Sequence, residues 1–410
     1  MSASRIVIIG AGQAGANAAA ELRRRGFAGS VTLVGDETHL PYERPPLSKD
    51  ALLDPEQARL TLYPLAHYAE QNIVLKLGVR ATAIDAQAHV VTLSSGEMLA
   101  YDQLLLATGA QVRRLPQLDV LGDAVHVLRT LDDARGIRAR IRPGVHVLQV
   151  GAGVIGLELA SSLVELGATV EVIDPAPRVM SRNAPEIISL HLQAVHKARG
   201  VAFHFGTSVA DARRTEDGRV VLTLSDGSGA EGDLLVYGIG VATDGALAES
   251  AGLHTVQGAV VVDVCCRTSD PDIYAAGDAV LQACGDGRLQ RLETWENANQ
   301  QALAAVCAIL GEDAPAPSVP WFWTDQCGMN IQFAGDMAAP RWVLRGTPDQ
   351  SFMLFGLDEE GVVSAAITVN QGRDMRPAKE LIARRARLPA EVLADAACSL
   401  RNLAKDLQAG

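Results

Sequence analysis

The stretch RIVIIGAGQAGANAAAELRRRGFAGSVTLVGDE, residues 5–37, passes from an apolar run through Gly10, Gly12 and Gly15 into a small-residue segment with helical character, then into a second apolar run ending at Asp36. This order predicts a strand, a tight turn, a helix and a second parallel strand. The three glycines differ in what they allow. Gly10 permits the turn, Gly12 lets backbone approach a pyrophosphate, and Gly15 lets helix pack on strand. The N–H groups at the start of such a helix, together with its dipole, favour phosphate. Asp36, or Glu37 beside it, is placed to accept a hydrogen bond from a ribose hydroxyl.

The same unit returns as HVLQVGAGVIGLELASSLVELGATVEVIDPAP, residues 146–177, with Gly151, Gly153 and Gly156 and with Asp174 closing the following strand. A single glycine signature is weak evidence. Two copies, each set between strand and helix and each followed by its acid, predict two dinucleotide sites. A carboxylate at Asp174 suits a 2′-hydroxyl and repels a 2′-phosphate, which favours NADH, while nearby Arg178 keeps NADPH in contention.

YDQLLLATGA (101–110) and DIYAAGDAV (272–280) read as buried strands running into Thr108-Gly109 and Gly277-Asp278. The whole second nucleotide unit lies between them, so the first domain is expected to be discontinuous. The fold class is α/β: two Rossmann-like domains, the second inserted in the first, and a C-terminal α+β domain. The expected boundaries are 1–110 with 233–315, 111–232, and 316–410. Beyond the linker at 313–320, RWVLRG, SFMLFGLD and GVVSAAITVN predict three antiparallel strands, followed by a helix over 375–386.

The net charge of −12 across 410 residues argues against general nucleic-acid binding. No charged, apolar and small-residue leader precedes the strand beginning at Arg5, and apolar runs break before the length of a membrane span. A cytoplasmic chain without membrane association is expected. The cysteines, Cys265, Cys266, Cys284, Cys307, Cys327 and Cys398, show no metal or iron–sulfur spacing and read as reduced thiols, so no metal is expected.

GAGQAG, LPYERPPLSK, LLLATGA, GAGVIGLE, IYAAGDA, RLETWENANQQ and WFWTDQ follow one another in the order found in a known family. The chain resembles the FAD-dependent NADH:ferredoxin reductases that serve Rieske-type aromatic-ring dioxygenases and some P450 systems. Putidaredoxin and rubredoxin reductases and apoptosis-inducing factor share the build. The resemblance implies FAD on the first unit and NADH on the second. It sets Arg44, Pro45 and Lys49 along the flavin, Asp278 on its ribityl chain, and Trp295, Trp323, Asp325 and Gln326 around it, with Thr108 and Gly109 at the edge of the site. It also implies that Glu158 bonds the nicotinamide carboxamide and pairs with Lys49.

Disulfide reductases of this build carry cysteines where PYERPPLSKD (41–50) stands, and a C-terminal His–Glu pair. Here there are no such cysteines and the last histidine is His254. The resemblance therefore implies hydride transfer from NADH to FAD and single-electron delivery by a monomer or homodimer to a Rieske-type or plant-type [2Fe–2S] ferredoxin feeding a terminal oxygenase. Two readings compete: an NADH oxidase or peroxidase, and a redox-signalling protein like apoptosis-inducing factor. In GRDMRPAKELIARRAR (372–387) six basic residues stand against two acidic ones, and Arg384, Arg385 and Arg387 are an expected ferredoxin-docking face.

Overall fold

The computed structural model describes residues 4–284, 287–348 and 351–406. The chain divides into two compact units. One contains the segment ending at Pro45 together with Arg59–Gln111 and Val241–Pro317; the other contains Pro46–Ala58, Val112–Gly240 and the chain from Ser318 onward.

The first unit is built on a five-stranded sheet in the order Ile273–Ala275, Gln103–Leu106, Arg5–Ile9, Ser30–Val34, Ile73–Lys76, with every pairing parallel. Its central strands are apolar on both faces because helices and smaller sheets leave neither face to water; Ile6, Val7, Ile8 and Ile9 are all buried. The edge strand Ile273–Ala275 joins beside Gln103–Leu106 from far along the chain. The sheet is thus completed only after the second nucleotide unit has been traversed. Helix Gln13–Arg24 shares a core of small residues with helix Trp295–Leu310: Ala14, Ala18, Ala19, Ala298, Ala302 and Ala305 are all in it.

The second unit repeats the parallel pattern in the order Ala202–Phe205, Thr169–Asp174, His146–Val150, Leu234–Tyr237, Val125–His126. It also contains a five-stranded antiparallel sheet, ordered Trp321–Gln326, Met329–Gly335, Val363–Val369, Phe352–Leu357, Arg341–Gly346. The three strands expected from sequence are its far side. The near side is a hairpin over WFWTDQCGMNIQFAG, which the sequence shows only as an aromatic segment. Its two turn residues, Cys327 at φ 55° and Gly328 at φ 74°, take the left-handed pair that matches strand twist. Cysteine in the first position hides that signal.

The expected helix over 375–386 stops at Ala383. Arg385 turns left-handed at φ 52°, and the Ala386 and Arg385 amides donate to the Leu381 and Ile382 carbonyls. That pair of bonds is a Schellman close, made here without the usual glycine. It releases Ala386, whose carbonyl then accepts from the Val363 amide.

Buried Arg345 fastens the C-terminal segment. Its Nη1 donates to the carbonyls of Leu393 (3.2 Å) and Asp395 (2.5 Å), and its Nη2 to those of Ala396 (3.4 Å) and Cys398 (2.5 Å). One guanidinium thereby satisfies carbonyls that no strand or helix pairs. Arg345→Met is expected to lower stability by about 2–4 kcal/mol, since it removes four hydrogen bonds made by one buried cation, one of them to the carbonyl of buried Leu393. Hydrogen exchange read by mass spectrometry should show the loss concentrated over 390–406.

Candidate functional site

Both glycine turns have the same internal geometry. A Cβ on Gly10 would lie 2.1 Å from the Ala107 carbonyl oxygen, and one on Gly15 would lie 1.9 Å from that of Gly10. In the second copy the corresponding approaches are 2.3 Å from Gly151 to Gly238 and 2.3 Å from Gly156 to Gly151. Gly10 and Gly151 also sit at φ +111° and +110°. These four glycines are demanded by the protein's own backbone. Gly12 and Gly153 are different: a Cβ there meets nothing within 4 Å. Each opens a helix whose N-cap makes no side-chain hydrogen bond. An open approach in front of uncapped N–H groups fits the pyrophosphate of a dinucleotide, once in each unit.

In the first unit Glu37 accepts from Tyr42 Oη (2.6 Å) and Arg44 Nη2 (2.8 Å), and the Arg44 guanidinium lies 5.5 Å from the Tyr42 ring centroid. Asp36 is paired with Arg80 at 3.0 Å, and both side chains are more than half exposed. Of the two acids considered for the ribose, Glu37 is thus bound into the loop that carries Arg44, and Asp36 faces solvent. Thr108 and Gly109 follow strand Gln103–Leu106, and Asp278 lies in the 3-10 turn Gly277–Ala279, whose first amide donates to Gln301 Oε1 at 2.8 Å. Trp295 Nε1 donates to Glu43 Oε1 at 3.1 Å, which places Trp295 and the PYERPPLSKD loop side by side. Pro45 begins the 3-10 turn Pro45–Ser48. A polar cluster that sequence did not suggest lies beside Gly12: Gln13 and Asn17 both donate to Asn299 Oδ1, and Tyr63 donates to Asn17.

In the second unit Asp174 accepts from the amides of Ala152 (2.7 Å) and Ala176 (2.8 Å), so the carboxylate is anchored to the glycine turn itself. Arg178 donates to the carbonyls of Ala184 and Ser181 and to Ser189 Oγ. These bonds hold its guanidinium between its own loop and the first turn of helix Glu186–Ala198.

Glu158 lies on helix Val154–Glu165 and is 4% exposed. Its Oε1 accepts from Thr324 Oγ1 at 2.7 Å, from Lys49 Nζ at 3.2 Å and from the Asp325 amide at 3.4 Å. Its Oε2 accepts from Ser48 Oγ at 2.5 Å. A buried carboxylate without partners would cost several kcal/mol; this one is surrounded by donors and one ammonium. Lys49 Nζ is also 3.7 Å from Asp325 Oδ2 and 5.8 Å from the Trp323 ring. Trp323 stacks on Trp321 with centroids 5.2 Å apart and donates to Asp325 at 3.0 Å. Gln326 is buried, and its amide is held between Thr324 and His196.

Lys49, Glu158, Trp323 and Asp325 are brought together as expected, and Ser48 and Thr324, which lie inside LPYERPPLSK and WFWTDQ, join them without having been expected. His196 carried no signal, because a lone histidine on a helix reads as packing. The basic run is partly offset: Arg385 lies 3.5 Å from Asp358, and Arg387 lies 2.8 Å from Glu360. The turn bearing those acids lowers the local positive charge expected of the docking face.

The pyridine nucleotide-disulphide oxidoreductase family model matches residues 4–302, and the reductase C-terminal model matches 321–404. The chain is 46% identical to the ferredoxin–NAD(+) reductase component of the 3-phenylpropionate/cinnamic acid dioxygenase of Photorhabdus laumondii, over 94% of this chain and 97% of that one. Among solved structures it resembles the covalent putidaredoxin reductase–putidaredoxin complex, with TM-score 0.94 and 33% identity, covering all of both chains. It also resembles the ferredoxin reductase for the CYP199A2 system from Rhodopseudomonas palustris, with TM-score 0.91 and 36% identity, covering 98% of this chain and all of that one.

Burial lowers the pKa of His196 and of His126, each also beside an arginine. Unfolded, both imidazoles take up protons near pH 6.5, whereas the folded chain resists until lower pH. The unfolded state then binds more protons, so stability falls as pH drops below about 6.5. Carboxylates held low by arginines, such as Glu21 and Asp123, act only in a more acid window. The melting temperature is expected to drop between about pH 7.5 and about pH 5.5, and His196→Gln should reduce that drop.

Proposed function

Because the chain belongs to the pyridine nucleotide-disulphide oxidoreductase family, we propose that it is an NADH:ferredoxin reductase delivering electrons to a terminal oxygenase. FAD is held by 1–110 and 233–315 and NADH by 111–232, with 316–410 as the C-terminal domain. The observation that carries the reading is the pair of open glycine turns in a chain whose PYERPPLSKD segment presents Lys49 to Glu158 where a disulfide reductase has cysteines. When bound, the cofactors supply the chemistry: a hydride passes from NADH to FAD, and the electrons leave one at a time for a [2Fe–2S] ferredoxin of the Rieske or plant type.

The protein's residues position and neutralise. Gly12 and Gly153 leave room for each pyrophosphate, and the helix N-termini behind them meet its charge. Asp174, fixed by the Ala152 amide of the glycine turn and by the Ala176 amide, presents a carboxylate to the adenosine ribose and disfavours a 2′-phosphate. Arg44, held by Glu37, and Lys49, held by Glu158, line the flavin together with Pro45. Glu158 would hold the nicotinamide carboxamide and so orient the ring. Asp278, Thr108, Trp295, Trp323 and Gln326 complete the surroundings of the flavin.

In the test of the whole reading, NADH-driven reduction of cytochrome c should be slow with the purified protein alone and should rise on adding a small [2Fe–2S] ferredoxin. Equal rates with and without ferredoxin, together with rapid oxygen consumption, would establish an oxidase instead. Coenzyme choice is checked separately: kcat/KM should favour NADH, and Asp174→Ala should narrow the gap severalfold. Arg178→Ala should lower stability while leaving the NADH to NADPH ratio within about twofold, since its bonds are local.

A further inference from the structure

Behind the Glu158 carboxylate a line of buried polar groups runs away from Lys49. Thr324 Oγ1 donates to Glu158 Oε1 at 2.7 Å; Gln326 Nε2 donates to Thr324 Oγ1 at 2.9 Å; and His196 Nε2 lies 2.7 Å from Gln326 Oε1. Thr324 and His196 are fully buried, Gln326 nearly so. The residues come from strand Trp321–Gln326 and helix Glu186–Ala198, both within the second unit.

The direction of this line follows from its first member. The Lys49 ammonium and the Asp325 amide can only donate, and both face Glu158 Oε1, so that oxygen acts as an acceptor. Thr324 must then give its single proton to Glu158, leaving its oxygen to accept from the Gln326 amide nitrogen. That fixes the Gln326 amide with its oxygen toward His196. An oxygen at 2.7 Å requires a proton on Nε2. His196 is therefore the neutral Nε2–H tautomer with a bare Nδ1. Cys327 Sγ lies 3.7 Å from Nδ1 and 3.6 Å from Nε2, so the thiol packs against the ring without selecting either nitrogen. Burial and nearby Arg199 lower the imidazole's own pKa.

We propose that His196 is a positioning residue for Glu158, acting through Gln326 and Thr324 to hold the carboxylate in one orientation beside Lys49. The proposal rests on the reading that Glu158 serves the nicotinamide. Each link fixes the proton of the next, so the charge of Glu158 and the tautomer of His196 are set together. Turning the carboxylate away from Thr324 would leave a buried hydroxyl and amide without their partners.

The test uses the full chain as purified, labelled with 15N-histidine. Long-range 1H–15N correlations should show His196, assigned by its loss in His196→Phe, as the Nε2–H tautomer, unchanged between about pH 6 and about pH 8. Thr324→Val should introduce an Nδ1–H population, and Thr324→Ser should restore the wild-type pattern. In stopped flow, Thr324→Val should slow the limiting rate of NADH-driven flavin reduction about tenfold, the loss of one hydrogen bond to a charged group, with half-saturating NADH within about twofold. Thr324→Ser should recover most of the rate. An Nδ1–H or doubly protonated His196 in the wild type overturns the proposal and needs no variant to fold. So does a Thr324→Val enzyme reduced at the wild-type rate while Glu158→Ala is slow. If Glu158→Ala itself is reduced at the wild-type rate, the nicotinamide role of Glu158 fails, and the proton pattern of the chain is decided by the spectra alone.

Discussion

The second unit is organised around one carboxylate. Glu158 is almost wholly removed from water, and in such a place an ion without partners would cost several kcal/mol. The chain meets that constraint by bringing Ser48 and Lys49 from one segment and Thr324 and the Asp325 amide from another onto its two oxygens. Ser162, one turn along the same helix, donates to the Ser48 carbonyl at 2.7 Å, and Ser161 accepts from the Cys327 amide at 2.8 Å. Segments far apart in sequence are thus held to one face of helix Val154–Glu165 by polar bonds. Hydrophobic packing tolerates small slides; directed bonds to a buried charge do not.

The two glycine turns show how one backbone solution serves two units with different side-chain settings. In both, the first and third glycines are fixed by contact with the protein's own carbonyls, and the middle one is left open. The acids that follow differ. Asp174 is bonded to the Ala152 amide of the glycine turn and to the Ala176 amide, whereas Asp36 is exposed and paired with Arg80. A shared sequence signature therefore specifies the same open turn in both units, while the acid that follows is set differently in each.

What could be read from the sequence was mainly local. The glycine turns, the apolar parallel strands and the strand-to-turn passages at Thr108-Gly109 and Gly277-Asp278 each announce themselves within a dozen residues. Much of what escaped depends on pairing across long separations. The hairpin over 321–335 was masked by Cys327, a residue that seldom takes a left-handed φ. The helix from Met375 ends early because Ala386 is drawn into a bond with Val363. Nothing in RWVLRG marks Arg345, and only the fold shows the carbonyls it collects. Arg385 and Arg387 looked like a free basic face until the turn bearing Asp358 and Glu360 came beside them.

The thiols bear on how electrons leave. Thiol–disulfide chemistry needs a thiolate that is accessible and of low pKa. Here Cys266, Cys307 and Cys327 are buried, and burial pushes each thiol's pKa up. Cys266 donates to the Gln301 carbonyl instead of facing its neighbour Cys265, and Cys398 donates to Asp395, which raises its pKa as well. Cysteines in such settings are poor nucleophiles at neutral pH. The PYERPPLSKD segment, where disulfide reductases of this build carry cysteines, here holds Ser48 and Lys49, both committed to Glu158. The build associated with disulfide reduction here carries a Lys49–Glu158 pair in that segment in place of a thiol pair, in keeping with the ferredoxin–NAD(+) reductase to which the chain is 46% identical.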